Sequence, residues 1–148
     1  ESITGVDLVQ EQIKAAFGEK LSFRQKDLKI NGHSIECRIN AEDPYNFTPS
    51  PGTISRFHFP GGPGIRVDTH AYSGYKVPSH YDSMIGKVIA SGSSREQAIA
   101  RMKIALSEIV IEGIKTNIPL HIDLMNDLAY QNGGVSIHYL EDKLGIKL

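Results

Sequence analysis

A single cysteine in 148 residues leaves no route to an intrachain disulfide, and Cys37 reads as a buried structural thiol in a reducing, cytoplasmic setting rather than as a nucleophile. Neither sign of charge prevails. The 16 Lys+Arg against 17 Asp+Glu give a net charge of -1, which excludes any bulk attraction to nucleic acid or to an anionic membrane. Apolar runs stop at three residues, as at Ile109–Ile111, so none can span a bilayer and no secretory signal is visible. Internal repeats and low-complexity tracts are also missing. The length suits one domain that buries roughly 70% of its unfolded surface around a single core.

Motifs that carry chemistry are equally scarce. FPGGPG, residues 59–64, has two prolines without amide donors and leads into an extended run, so it fits neither phosphate-cradling fingerprint and reads as a turn or surface contact loop. The six histidines (33, 58, 70, 80, 121, 138) pair closely neither with one another nor with Cys37, so no zinc site is expected. GxSxG and HExxH do not occur. Asp142 with Lys143, and Glu108 with Glu112, read as solvated charges on helix surfaces. The chain starts Glu1-Ser2-Ile3 without methionine, and a capped helix begins within four residues of that end. The expectation is a piece of a longer protein joined directly onto a folded body.

What is present is clear periodicity. Thr4 and Asp7 can cap a helix carrying Val9, Ile13, Ala16 and Phe17 until Gly18. Leu28–Ile30 and His33–Asn40 are extended runs joined by Asn31-Gly32, which predicts a hairpin. Pro44, Pro49, Pro51 and Gly52 mark a loop before strands over Thr53–His58 and Ile65–Thr69. A further loop, Ser73–Ser79, precedes a strand over Met84–Ala90. Ser94 with Gln97 is a capping box for the longest helix, whose rows Ala98, Met102, Ala105, Ile109 and Ile99, Leu106, Val110 end at Gly113. Asn117 and Pro119 open a shorter helix through Leu120, Leu124 and Met125, and Ser136 caps a last one through Leu140 and Leu144 to Gly145. A helix, then strands, then helices predicts an α+β fold, an antiparallel sheet with helices packed on it.

The stretch ECRINAED, residues 36–43, places Arg38 among apolar neighbours with Glu36, Glu42 and Asp43 around it. Alternation puts Ile35, Cys37 and Ile39 on one face and Ser34, Glu36, Arg38 and Asn40 on the other. Two readings are open: a solvated face with an incidental ion pair, or a cleft in which a steadied guanidinium binds a carboxylate, phosphate or developing oxyanion. Asp82, in HYDSMIGK, either hydrogen-bonds backbone amides of a turn or partners Arg38.

GHSIECRINAEDPYNFTPSPGTI, PGGPGIRVD, VPSHYDSMIGKVI and GIKTNIPLH, in that order, resemble the C-terminal domain of the biotin carboxylase component of bacterial acetyl-CoA carboxylase. The related domains of pyruvate and propionyl-CoA carboxylases share the pattern, and the short ending after HYLEDKLGIKL is closer to the free-standing bacterial subunit. The resemblance implies an ATP-grasp ligase of fatty acid synthesis that uses ATP, Mg2+ and bicarbonate to carboxylate biotin on the biotin carboxyl carrier protein. It implies carboxyltransferase subunits as further partners and a homodimer. It assigns Arg38 to the biotin site as a catalytic residue, with Asp82 near it, and Pro63 and Arg66 to the dimer interface. The ATP-, metal- and bicarbonate-binding residues would precede Glu1, so the 148-residue chain alone is expected to be inactive. A module that only dimerises or docks is the alternative from another class.

Overall fold

The computed structural model describes residues 1–146. Its centre is a three-stranded antiparallel sheet in the order β1 (His33–Asn40), β6 (Met84–Gly92), β4 (Ile65–Thr69). Two short antiparallel pairs flank it: β2 (Gly52–Thr53) with β5 (Lys76–Val77), and β3 (Arg56–His58) with β7 (Val110–Glu112). The helices are α1 (Leu8–Ala16), α2 (Arg95–Glu108), α3 (Ile118–Asn126), α4 (Leu128–Asn132) and α5 (Tyr139–Leu144). This is the predicted α+β class.

Register fixes what each sheet face carries. Ile35, Cys37 and Ile39 lie opposite Ala90, Val88 and Gly86, which in turn face Ile65, Val67 and Thr69. Those rows form the inner face, and α2 covers it with Ala98, Ile99, Met102, Ala105 and Leu106, all buried. Ser94 starts α2 as expected, its Oγ accepting from the Gln97 amide at 3.3 Å. Each large side chain sealed there contributes about 1.5–3 kcal/mol relative to exposure.

Four sequence expectations are corrected. Leu28–Ile30 is not a strand, and the hairpin does not form; β1 pairs instead with β6, while the Asn31 amide donates to the Ile3 carbonyl at 2.7 Å. Gly32 is required for another reason: its φ is +71°, and a β-carbon there would collide with the Gly92 carbonyl. Thr53–His58 is not one strand, because the chain changes partner at its middle. The Ile54 amide donates to Tyr75 and the Ser55 amide to Glu112. α2 ends at Glu108, short of Gly113, because the β-branched run Ile109, Val110, Ile111 turns extended and pairs with β3. Finally, Glu112 lies not on a helix but on β7, within 3.7 Å of Arg56, while Asp142, Lys143 and Glu108 are exposed helix charges as expected, Lys143 bonding to Asp127, which also accepts from the Tyr139 hydroxyl at 2.7 Å.

α1 forms where expected, Asp7 Oδ1 accepting from the Gln10 amide at 2.9 Å. Its apolar row is exposed, with Leu8, Val9, Ile13 and Phe17 all open to solvent, Phe17 by 81%. Glu11, on the opposite side, is buried and ties α1 to the following loop. Its carboxylate accepts from Lys14 Nζ, the Ser22 amide and the Ser22 hydroxyl, each at 2.8 Å.

Candidate functional site

The outer face of the sheet is charged. Arg38 on β1 lies opposite Lys87 on β6, which lies opposite Asp68 on β4; in the adjacent row Glu36, Ile89 and Arg66 follow one another across the same strands. Two of the sequence-predicted residues, Arg38 and Arg66, thus share this face on a diagonal. Arg66 donates to Asp68 Oδ1 at 2.9 Å and Glu1 Oε2 at 3.0 Å, and these two carboxylates raise its pKa. Pro63 is exposed in the loop before β4.

Arg38 is held by one end only. Its Nε donates to Glu36 Oε1 at 3.2 Å, while among the described residues its terminal nitrogens donate to nothing. The side chain is 67% exposed, so this pair contributes only about 0–1 kcal/mol to stability. What it supplies is direction: a planar fork aimed off the sheet with its paired donors open, the geometry that takes a carboxylate or an oxyanion.

Asp82 lies at the same end of the strand pair, two residues before Met84, the partner of Asn40. Its Oδ1 accepts from the Met84 amide at 2.8 Å, which is the turn arrangement of the two readings given above; no bond joins it to Arg38. Asp82 lines a cavity of about 460 Å³ together with Asn40, Glu42, Pro49, Tyr81 and Ser83. Within that lining Glu42 accepts from Asn40 Nδ2 and the Ser83 hydroxyl, both at 3.1 Å. Asn40 Oδ1 is buried without a partner among the described residues. Beneath Arg38, burial and the charge of Glu36 push the Cys37 thiol up to about 12, which makes it inert, as read from the sequence.

Two groups behind Arg38 were not visible in the sequence. Asn117, expected only to open a helix, directs its side chain to β1, and His121 Nε2 donates to the Arg38 carbonyl at 2.8 Å. Burial lowers the His121 pKa, which favours the uncharged ring. Lys87 was likewise unassigned, because its position opposite Arg38 depends on a strand pairing that links distant residues. Among the described residues no group of His, Cys, Asp and Glu could hold a metal ion, and no helix is long and apolar enough to cross a membrane.

An antiparallel sheet covered by helices on one face, with a strand-borne arginine presented on the other, defines an α+β domain whose outer face carries an open guanidinium. The sequence profile of the Biotin carboxylase C-terminal domain matches residues 36–142. The chain is 60% identical over 146 residues to the biotin carboxylase of Pseudomonas aeruginosa, covering 99% of this chain and 32% of that protein. A solved biotin carboxylase–β,γ-ATP complex from Campylobacter jejuni superposes with a TM-score of 0.88 at 44% identity, over 95% of this chain and 31% of that one. The biotin carboxylase domain dimer of Hydrogenobacter thermophilus 2-oxoglutarate carboxylase, solved with MgADP, ADP and bicarbonate, gives a TM-score of 0.89 at 49% identity, over 95% and 31% of the two chains. This chain belongs to the biotin carboxylase C-terminal domain family. It spans about a third of the length of the relatives it matches.

Proposed function

We propose that this chain is the C-terminal part of a biotin carboxylase, completing the pocket in which biotin on its carrier protein is carboxylated. The observation that carries the proposal is the open fork of Arg38, steadied at Nε by Glu36 on a strand whose opposite face is locked into the core. As the ureido nitrogen of biotin loses its proton, negative charge gathers on the ureido oxygen, and the two free nitrogens of Arg38 are suited to donate to it. Losing one such donor typically costs about 2.7–4 kcal/mol of transition-state stabilisation. Asp82 contributes by fixing the turn that leads into β6, beside the cavity at the end of β1.

ATP, Mg2+ and bicarbonate would supply the activated carboxyl group. Among the described residues no group fits a metal, so the groups that handle nucleotide, metal and bicarbonate are assigned to the remaining two-thirds of the relatives' length. The homodimer places Arg66 and Pro63 at its interface in this reading, with the biotin carboxyl carrier protein and the carboxyltransferase subunits as the other partners. The relatives of 60% identity are named biotin carboxylase, against 52% for a pyruvate carboxylase subunit and 49% for a 2-oxoglutarate carboxylase subunit, which favours the biotin carboxylase subunit of acetyl-CoA carboxylase over a related carboxylase; a cytoplasmic location belongs to the same proposal.

The test is Arg38→Gln in the complete enzyme. Biotin carboxylation is expected to fall about 10²- to 10³-fold with MgADP affinity unchanged; a normal biotin-dependent rate would defeat the assignment.

A further inference from the structure

β1 is an edge strand, and its hold on β6 weakens where Arg38 needs it most. The ladder slips between Ile39 and Asn40: Ile39 faces Gly86, while Asn40 faces Met84 and Ile85 is passed over. On the open edge, the Arg38 carbonyl and both backbone groups of Asn40 would be without partners. Asn117 supplies all of them. Its Oδ1 accepts from the Asn40 amide at 2.9 Å, its own amide donates to the Asn40 carbonyl at 3.2 Å, and its Nδ2 donates to the Arg38 carbonyl at 3.0 Å. Asn117 is only 6% exposed, and it makes no side-chain cap for α3, the use a sequence reading gives it. One turn on, at the i+4 position and so on the same helix face, His121 brings a second donor to the same Arg38 carbonyl at 2.8 Å. A carbonyl only accepts, so Nε2 carries the proton. The start of α3 therefore acts as a short surrogate strand along the β1 edge, and two of its four bonds end on the carbonyl of Arg38.

We propose that Asn117 and His121 are positioning residues that fix the backbone of Arg38 and so set where its guanidinium points during biotin carboxylation. The inference rests on the assignment of Arg38 made above. Helix α3, through these two side chains, then couples the inner packing of the domain to the aim of the outer fork: α3 buries Ile118, Leu120 and Met125 on one side and holds the β1 edge on another. Misplacement of a reacting group by about 1 Å can cost roughly 10²-fold in rate, so small shifts of this strand edge matter.

The decisive variant is Asn117→Asp, which keeps the acceptor for the Asn40 amide and replaces the donor to Arg38 by an oxygen facing an oxygen. In the complete enzyme, kcat for biotin carboxylation is expected to fall about ten- to a hundredfold, with MgADP affinity unchanged. The same substitution in an Arg38→Gln background is expected to add less than about twofold, because there is no longer a fork to misdirect. An equal loss in both backgrounds would overturn the inference and leave Asn117 a purely structural residue. Should Asn117→Asp fail to fold, His121 provides the same test: His121→Leu removes one donor and lowers kcat, and His121→Gln, whose amide nitrogen reaches the same carbonyl, restores most of it. Equal rates in the two His121 variants would also overturn it. If Arg38→Gln alone leaves biotin turnover intact, the assignment of Arg38 falls first, and that result is distinct from failure of the positioning role.

Discussion

The inner and outer faces of β1, β6 and β4 are built from alternate residues of the same strands, yet they obey different rules. The inner face is apolar, closed by α2, and includes Ile39 and Val88, which have no solvent exposure. The outer face alternates charge, Glu36 and Arg38 beside Arg66 and Asp68, with exposed ion pairs that add little stability. One residue step along β1 passes from Cys37, whose thiol is silenced by burial, to Arg38, whose fork is open. The difference teaches that the core supplies rigidity and the outer face presents chemistry, with the strand backbone, held at its edge by α3, connecting the two.

That division can be broken first from the inside. Met102→Ala removes a fully buried side chain facing the sheet and is expected to cost about 2–5 kcal/mol in chemical unfolding. A loss under about 1 kcal/mol would mean that α2 does not clamp the inner face as described. The contrast is sharpened by acid. Glu11 is held down from 4.5 to about 2, mainly by the Lys14 bond and then by the Ser22 amide. Its folded pKa lies below the unfolded one, so the stability it contributes is present above about pH 4.5 and disappears as the pH falls through about 2. Thermal unfolding of Glu11→Gln should therefore lie below that of the parent at pH 6 and converge with it near pH 2; parallel curves across that window would contradict the tie between α1 and Ser22. The smallest effect concerns Cys37. Its thiol, at about 12, should leave a disulfide reagent unreacted at pH 8 until denaturant is added, and prompt labelling of the folded protein would show the inner face to be open.

Much of this arrangement was legible from local pattern. The alternation of Ile35, Cys37 and Ile39 against Glu36 and Arg38 gave the correct faces, and Ser94 with Gln97 gave the start of α2. The expectations that failed did so where distant residues decide. Asn31-Gly32 carries a strong turn signal, but the glycine serves a close approach to Gly92, about 60 residues away in the chain. Thr53–His58 has a strand composition, yet it splits at a bend at Ser55, where the Ile54 amide donates to Tyr75 and the next amide to Glu112. The helical rows reached Gly113 on paper, whereas β-branched residues from Ile109 and a partner in β3 ended the helix at Glu108. At the candidate site, the type and direction of Arg38 followed from the pattern around it. The support from Asn117 and His121 did not, since it is made by side-chain bonds to a strand backbone 79 and 83 residues distant.

The measurement closest to the central claim pairs two readings on one variant of the complete enzyme, Arg38→Gln: the unfolding midpoint and the kcat for biotin carboxylation. An unchanged midpoint with a rate reduced by about two orders of magnitude is the predicted result, since the outer fork stabilises developing charge and not the fold. A full biotin-dependent rate, whatever the midpoint, would contradict it.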